Sequence, residues 1–185
     1  MAQITRDPRD FWKVLAPRLT VLVTTMDRQG RTDVSAFSFV SPISFDPPLI
    51  GIASGVKKHS YDNLLQKREF VVNLPTEKMI EKIAVAGQKW DPHVSKIERA
   101  GLKTKPAVHV GPPLLAECPV SAECYLEEAK KYGDHVLLIG KVIALHVRDE
   151  LVDEKGRLKV ALVRPALHVA DNLFAFPYVS KEAKG

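Results

Sequence analysis

Three clusters in this 185-residue chain carry side chains able to do chemistry. The first is Lys57, Lys58, His59 and Ser60. Leu64 and Leu65 then begin an apolar helix face, and the spacing makes Ser60 an N-cap. A helix N-terminus leaves N–H groups unpaired and carries the positive end of the dipole, so a basic loop there suits a phosphate. The same residues also read as an exposed basic turn followed by an ordinary cap. The second cluster is the hydroxyl-rich stretch 35–41, with Ser35, Ser38 and Ser41 around Ala36, Phe37 and Phe39. It lines a ligand, or it simply alternates in and out of a sheet. The third is His135, which follows Gly133-Asp134 and opens a long apolar run. Histidine moves protons near neutral pH, yet a lone one on an apolar strand is often only packed and hydrogen-bonded.

The elements that must hold these clusters are mostly strands. Residues 19–25 are rich in Val and Thr, residues 26–31 form a hairpin turn around Asp27 and Gly30, and residues 34–40 pair back. Asp46-Pro47-Pro48 makes the next turn, before a strand at 49–53. A helix at 61–67 and a strand at 70–74, stopped by Pro75, follow. Residues 77–86 form an amphipathic helix, and 90–101 carry a weaker helical pattern. Residues 103–113 are an irregular crossing. Two long strands, 115–128 and 135–147, flank a turn at 130–134. In the first, Val120, Ala122, Cys124 and Leu126 alternate with Ser121, Glu123, Tyr125 and Glu127, which predicts a half-buried strand. The second is apolar on both faces and belongs mid-barrel or at a subunit contact. Residues 8–15 predict a short helix with Phe11, Val14 and Leu15 on one face, and 160–167 and 173–176 predict short strands. Most gaps between strands are too short for crossover helices, so the fold expected over 1–185 is one mainly β, antiparallel barrel.

Composition narrows the function. Hydrophobic residues at 45% and charged residues at 26% suit a water-soluble globule. The net charge of +5 is scattered among acids, so nucleic acid is not an expected partner. The most apolar stretch, 136–147, contains Lys141 and His146 and is shorter than the ~20 residues of a membrane span. Charges at the start replace the apolar core of a signal peptide, so a cytoplasmic location is expected. Cys118 and Cys124 sit too far apart on one predicted strand to bond and lack zinc-pair spacing, so both should be reduced. No metal site, hydrolytic triad, P-loop or Rossmann glycine pattern stands out.

Residues 35–73 resemble the FMN-binding split barrels of the flavin reductase-like family: a hydroxyl-rich strand, a D-P-P turn, a second strand, a basic H-S loop and a strand reading F-V-V-N. Residues 15–30, residues 113–124, and Gly133-Asp134-His135 with Gly140-Lys141-Val142 resemble other segments of that family. The resemblance covers roughly residues 15–146 and implies an antiparallel Greek-key split barrel with a few flanking helices. It implies FMN as cofactor, NADH or NADPH as hydride donor, and a homodimer. Electrons would pass on to free flavin, ferric iron or a partner protein. A flavoredoxin-like carrier that does not oxidise NAD(P)H is the rival reading. By the same resemblance Lys58, His59 and Ser60 hold the phosphate, and Ser35, Ala36, Phe37, Ser38, Ser41 and Ser54 line the ring and ribityl chain. His135 orients nicotinamide or donates a proton. Lys96 corresponds to a lysine of relatives, and Trp90 would cover the site. The chain departs from the family at Asp33, where Asn is usual, and at 169–178, where a G-G-x-x-Y-like segment is usual. His93, His109, His146 and His168 are expected to be structural or superficial.

Overall fold

The computed structural model of the chain describes residues 3–56, 59–91 and 93–183, and of His59 the backbone alone. A short helix α1 (Phe11–Val14) and a two-residue strand β1 (Arg18–Leu19) lead into β2 (Val21–Met26), β3 (Thr32–Phe37), β4 (Val40–Phe45) and β5 (Pro48–Gly55). Helix α2 (His59–Lys67) and β6 (Glu69–Leu74) follow, then α3 (Ile80–Gly87) and α4 (Lys96–Arg99). Next come the small strands β7 (Thr104–Lys105) and β8 (Leu114–Leu115) and the long hairpin of β9 (Val120–Tyr132) and β10 (His135–Val147). Helix α5 (Val160–Val163), β11 (Leu167–Ala170) and β12 (Leu173–Ala175) complete the described α-helices and strands, with 3-10 turns at Pro8–Asp10, Glu77–Met79 and Asp149–Leu151.

Among the described residues the main sheet has seven strands in the order β3-β2-β6-β9-β10-β5-β4, with every pairing antiparallel. Its two outermost strands, β3 and β4, are consecutive and joined only by Ser38 and Phe39. So short a link forces the sheet to curl until its ends meet, and the Ala53 N–H, donating to the Phe39 carbonyl at 2.8 Å, carries the β4–β5 ladder into that link. This is a barrel split at one seam, as expected.

Strand β2 is buried on both faces. Val21 and Val23 point into the barrel with Phe37, Ile52, Phe70 and Leu138. Leu22 points outward, beneath Ile83 and Ala86 of α3 and Ile97 of α4. Phe70 lies so close to β10 that a Cβ at Gly140 would run into its ring, and the β9–β10 register shifts there.

The two long strands run further than the predicted turn and close on Gly133-Asp134, with Gly133 at φ +58. Strand β9 begins at Val120, so Cys118 precedes it instead of sharing it. Both thiols are free, and burial pushes each up to about 12.

Other expectations fail for identifiable reasons. Residues 160–163 form helix α5, not a strand; Arg164 adopts the left-handed conformation at φ +48, ends it, and pairs with Glu77 at 2.6 Å. Local β-propensity loses to that tertiary anchor. Among the described residues of the 90–101 stretch, only Lys96–Arg99 are α-helical. Phe11, Val14 and Leu15 are exposed, so the N-terminal helix buries no apolar face within one chain.

The alternation in β9 also misleads. Ser121 is buried, and Glu123, expected on a wet face, is 0% exposed. The crossing segment lays its backbone over that face: the N–H groups of Val108, His109 and Val110 donate to the Glu123 carboxylate at 2.8, 2.6 and 3.2 Å. His146 Nε2 lies 2.7 Å from the same carboxylate. Burial pushes this carboxyl up, but the N–H groups and His146 outweigh it and hold it below the ordinary range.

Candidate functional site

Strand β3 is held at one end by a cation. Ser95 caps α4, its Oγ accepting from the Glu98 N–H at 3.3 Å, and so fixes the direction in which Lys96 leaves the helix. Lys96 Nζ lies 2.9 Å from Ser35 Oγ and 3.1 Å from Asp33 Oδ1. The other carboxylate oxygen, Asp33 Oδ2, is buried without a partner among the described residues. Asp33, Ser95 and Lys96 border a cavity of about 440 Å³ between the β2–β3 hairpin, Asn63 of α2 and the segment carrying Trp90. Trp90 is fixed by its Nε1–H, which donates to the Val85 carbonyl at 2.9 Å, and by the Arg99 guanidinium 4.0 Å from its ring centroid.

At the other end of β3 two rings meet. Phe39 is tied to β5 through Ala53, and His135 opens β10 opposite Gly55, two residues further along β5. Their ring centroids are 5.5 Å apart. A Cβ at Gly55 would meet nothing within 4 Å among the described residues, so the backbone there leaves space between them. Asp134 Oδ1 lies 2.7 Å from His135 Nδ1 and fixes the ring; that contact draws the Asp134 carboxyl below its usual range. With Nδ1 engaged, Nε2 is the nitrogen left to meet a ligand.

Beside this end lies a smaller cavity of about 240 Å³, bordered by Ala36, Phe37, Ser38, Thr20, α3 and His168. Thr20 Oγ1 is buried and unpartnered among the described residues. Ser38 Oγ is 3.1 Å from His168 Nδ1.

The expected site residues are only partly gathered. Ser35, Ala36, Phe37 and Ser38 run between the two cavities along β3, although most of Phe37 fills the barrel core. Ser54 is buried opposite Val136, its Oγ donating to the Gly55 carbonyl at 3.3 Å, next to the His135 position. Ser41 lies on the edge strand β4, exposed, with its hydroxyl on the Pro42 carbonyl. Ser60 is not an N-cap: α2 starts at His59, and Ser60 Oγ is buried and unpartnered among the described residues. Lys57 and Lys58, and the side chain of His59, lie outside the described residues.

Four residues of the site carried no usable signal in the sequence. Arg18 and His168 reach it through the pairing of β1 with β11, and Thr20 through its N–H, which donates to the Ala166 carbonyl at 2.9 Å. Asp33 showed only as a departure from the family's Asn.

With this geometry in hand, comparison with known proteins decides the family. The flavin reductase like domain matches residues 15–175. The chain belongs to the flavin reductase-like family. It is 31% identical over 182 residues to YwrF of Bacillus subtilis, covering 90% of this chain and 89% of that one. Among solved structures, nitrilotriacetate monooxygenase component B from Bacillus cereus superposes with a TM-score of 0.87 at 26% identity, over 99% of this chain and 98% of the other. An FMN-binding protein from Thermus thermophilus superposes with a TM-score of 0.86 at 23% identity, over 100% and 99%. The split-barrel fold and an oxidoreductase family are thereby established. Among the described residues no helix is long and apolar enough to cross a membrane.

Proposed function

We propose that this flavin reductase-like protein binds FMN along β3 and oxidises NADH or NADPH at the end where His135 meets Phe39. The observation that carries this reading is that three buried polar atoms, Asp33 Oδ2, Ser60 Oγ and Thr20 Oγ1, have no partner among the described residues. A buried polar group without a partner costs roughly 1–3 kcal/mol, so one on β3, one just before β2 and one on α2, which packs against both strands, fit a long polar ligand. The donor set matches FMN in type. Lys96 offers a cation, and Ser60 sits in the first turn of a nine-residue helix, where a phosphate is favoured. Ala36 and the Phe39 ring offer an apolar surface for an aromatic system.

When bound, FMN supplies the electron chemistry. The chain's part is to bind, orient and exclude water. Lys96 and Ser35 would hold the polar part of the cofactor, while His135, fixed by Asp134, would orient a nicotinamide carboxamide through Nε2 over the space beside Gly55. The Bacillus cereus neighbour is by its name one component of a monooxygenase, which favours a partner oxygenase as acceptor; free flavin and ferric iron are the simpler acceptors. A flavoredoxin-like carrier would use the same FMN contacts without nicotinamide. A homodimer fits the exposed apolar groups on the sheet, Phe45 at 93% and Leu145 at 64%.

The test is the absorbance of purified protein before and after anaerobic NADH or NADPH. A flavin spectrum bleached by either supports a reductase. A flavin spectrum that neither bleaches makes the protein a carrier, and absence of FMN binding on titration removes the site.

A further inference from the structure

The polarity of Ser38 is set from outside the segment that carries it. His168, on β11, places Nε2 3.0 Å from the Asp171 carbonyl oxygen. A carbonyl only accepts, so Nε2 carries the hydrogen. Nδ1 lies 3.1 Å from Ser38 Oγ and 3.4 Å from Arg18 Nη2. A guanidinium only donates, so Nδ1 is bare, and the Ser38 hydroxyl hydrogen is drawn to it. Ser38 then shows only lone pairs to the cavity it borders.

Arg18 is itself immobilised. Its Nη1 donates to the Trp12 carbonyl and, at 2.9 Å, to the Leu15 carbonyl, and its Nη2 donates to the Val169 carbonyl at 3.0 Å. The guanidinium also lies 5.5 Å from the Phe39 ring centroid. One arginine thus ties the start of the chain, β11 and the Phe39 end of the site into a single unit.

We propose that His168, oriented by Arg18 and Asp171, is a positioning residue that makes Ser38 an obligate hydrogen-bond acceptor for an N–H group on the edge of the bound flavin ring. This rests on the FMN reading above. A ring carbonyl set against Ser38 would face lone pair to lone pair. The arrangement therefore selects which edge of the ring enters, and it does so through a residue that need not touch the ring.

The experiment is a double-mutant cycle on FMN affinity, measured by titration of the apoprotein with Ser38→Ala, His168→Phe and the double variant. Ser38→Ala should weaken FMN roughly three- to tenfold, the worth of one buried neutral hydrogen bond. His168→Phe keeps the ring's bulk, removes the acceptor, and should weaken FMN less than Ser38→Ala, because the freed hydroxyl still accepts but is no longer oriented. The double variant should bind no worse than Ser38→Ala alone, because His168 acts through Ser38. His168→Gln, whose amide oxygen can face Arg18 and Ser38, should recover part of the loss. If the Phe variant is unfolded by its melting curve, the Gln variant carries the cycle with the same expectation of non-additivity. Additive losses, a silent Ser38→Ala, or equal losses for Phe and Gln would overturn the proposal and leave the flavin site standing. If wild-type protein binds no FMN, the flavin site falls first and this proposal with it.

Discussion

Lys96 Nζ is shared between Asp33 Oδ1 at 3.1 Å and Ser35 Oγ at 2.9 Å, which joins a four-residue helix to the hydroxyl-rich strand. The Asp33 carboxylate is left half-satisfied, with Oδ2 buried and unpartnered among the described residues. Lys96→Ala should therefore weaken FMN about tenfold or more, since a hydrogen bond to a charged group contributes roughly 1.5–3 kcal/mol. It also leaves Asp33 without its cation, so Lys96→Arg, which keeps the charge, should bind more tightly than the alanine variant. Fluorescence titration of the three proteins checks both.

Ser60 distinguishes the phosphate from the ring. Its hydroxyl is buried in the first turn of α2 and has no partner among the described residues. Ser60→Ala should weaken FMN about tenfold while leaving riboflavin, which lacks the phosphate, unchanged. Equal losses for both ligands would point to damage to the fold.

His135 should separate binding from turnover. Among the described residues its side-chain contacts are to Asp134 and Phe39, not to Lys96 or Ser60. His135→Ala should slow reduction by NAD(P)H tenfold or more in stopped flow, with FMN affinity and dithionite reduction little changed. His135→Asn should recover part of the rate if the ring's role is to hydrogen-bond nicotinamide.

Glu123 governs stability, not chemistry. Glu123→Ala strands three backbone N–H groups and His146, and should destabilise by about 3 kcal/mol or more in urea unfolding. Its folded-state value lies below that of an unfolded glutamate, about 4.3. The ionised carboxylate therefore adds stability that is present above about pH 4.3 and lost as pH falls through the lower folded value. Glu123→Gln should flatten that part of the stability–pH curve.

Cys118 and Cys124 should resist thiol reagents in the native state. Both are buried, and burial pushes both up to about 12, so almost no thiolate exists at neutral pH. Two equivalents should react only after denaturation. Fast labelling of native protein at Cys124 would show that β9 opens, and at Cys118 that the turn before it does.

Much of the barrel was legible in the chain. The Val- and Thr-rich run, the Asp27–Gly30 turn, Asp46-Pro47-Pro48 and the long hairpin are local signals, because turn chemistry and strand periodicity are written within a few neighbouring residues. The order of those elements carried the family, and with it the expectation of a flavin.

Tertiary structure decided what local pattern had no means to state. Glu123 reads as a wet-face residue until the crossing segment lays three N–H groups on it. Residues 160–163 read as a strand until Arg164 finds Glu77 across the fold. His168 reads as unremarkable until β11 pairs with β1 and sets it beside Ser38, 130 positions earlier. Periodicity reports which way a side chain points, but whether water, backbone or another side chain waits there depends on contacts far apart in sequence, and those exist only once the barrel has closed.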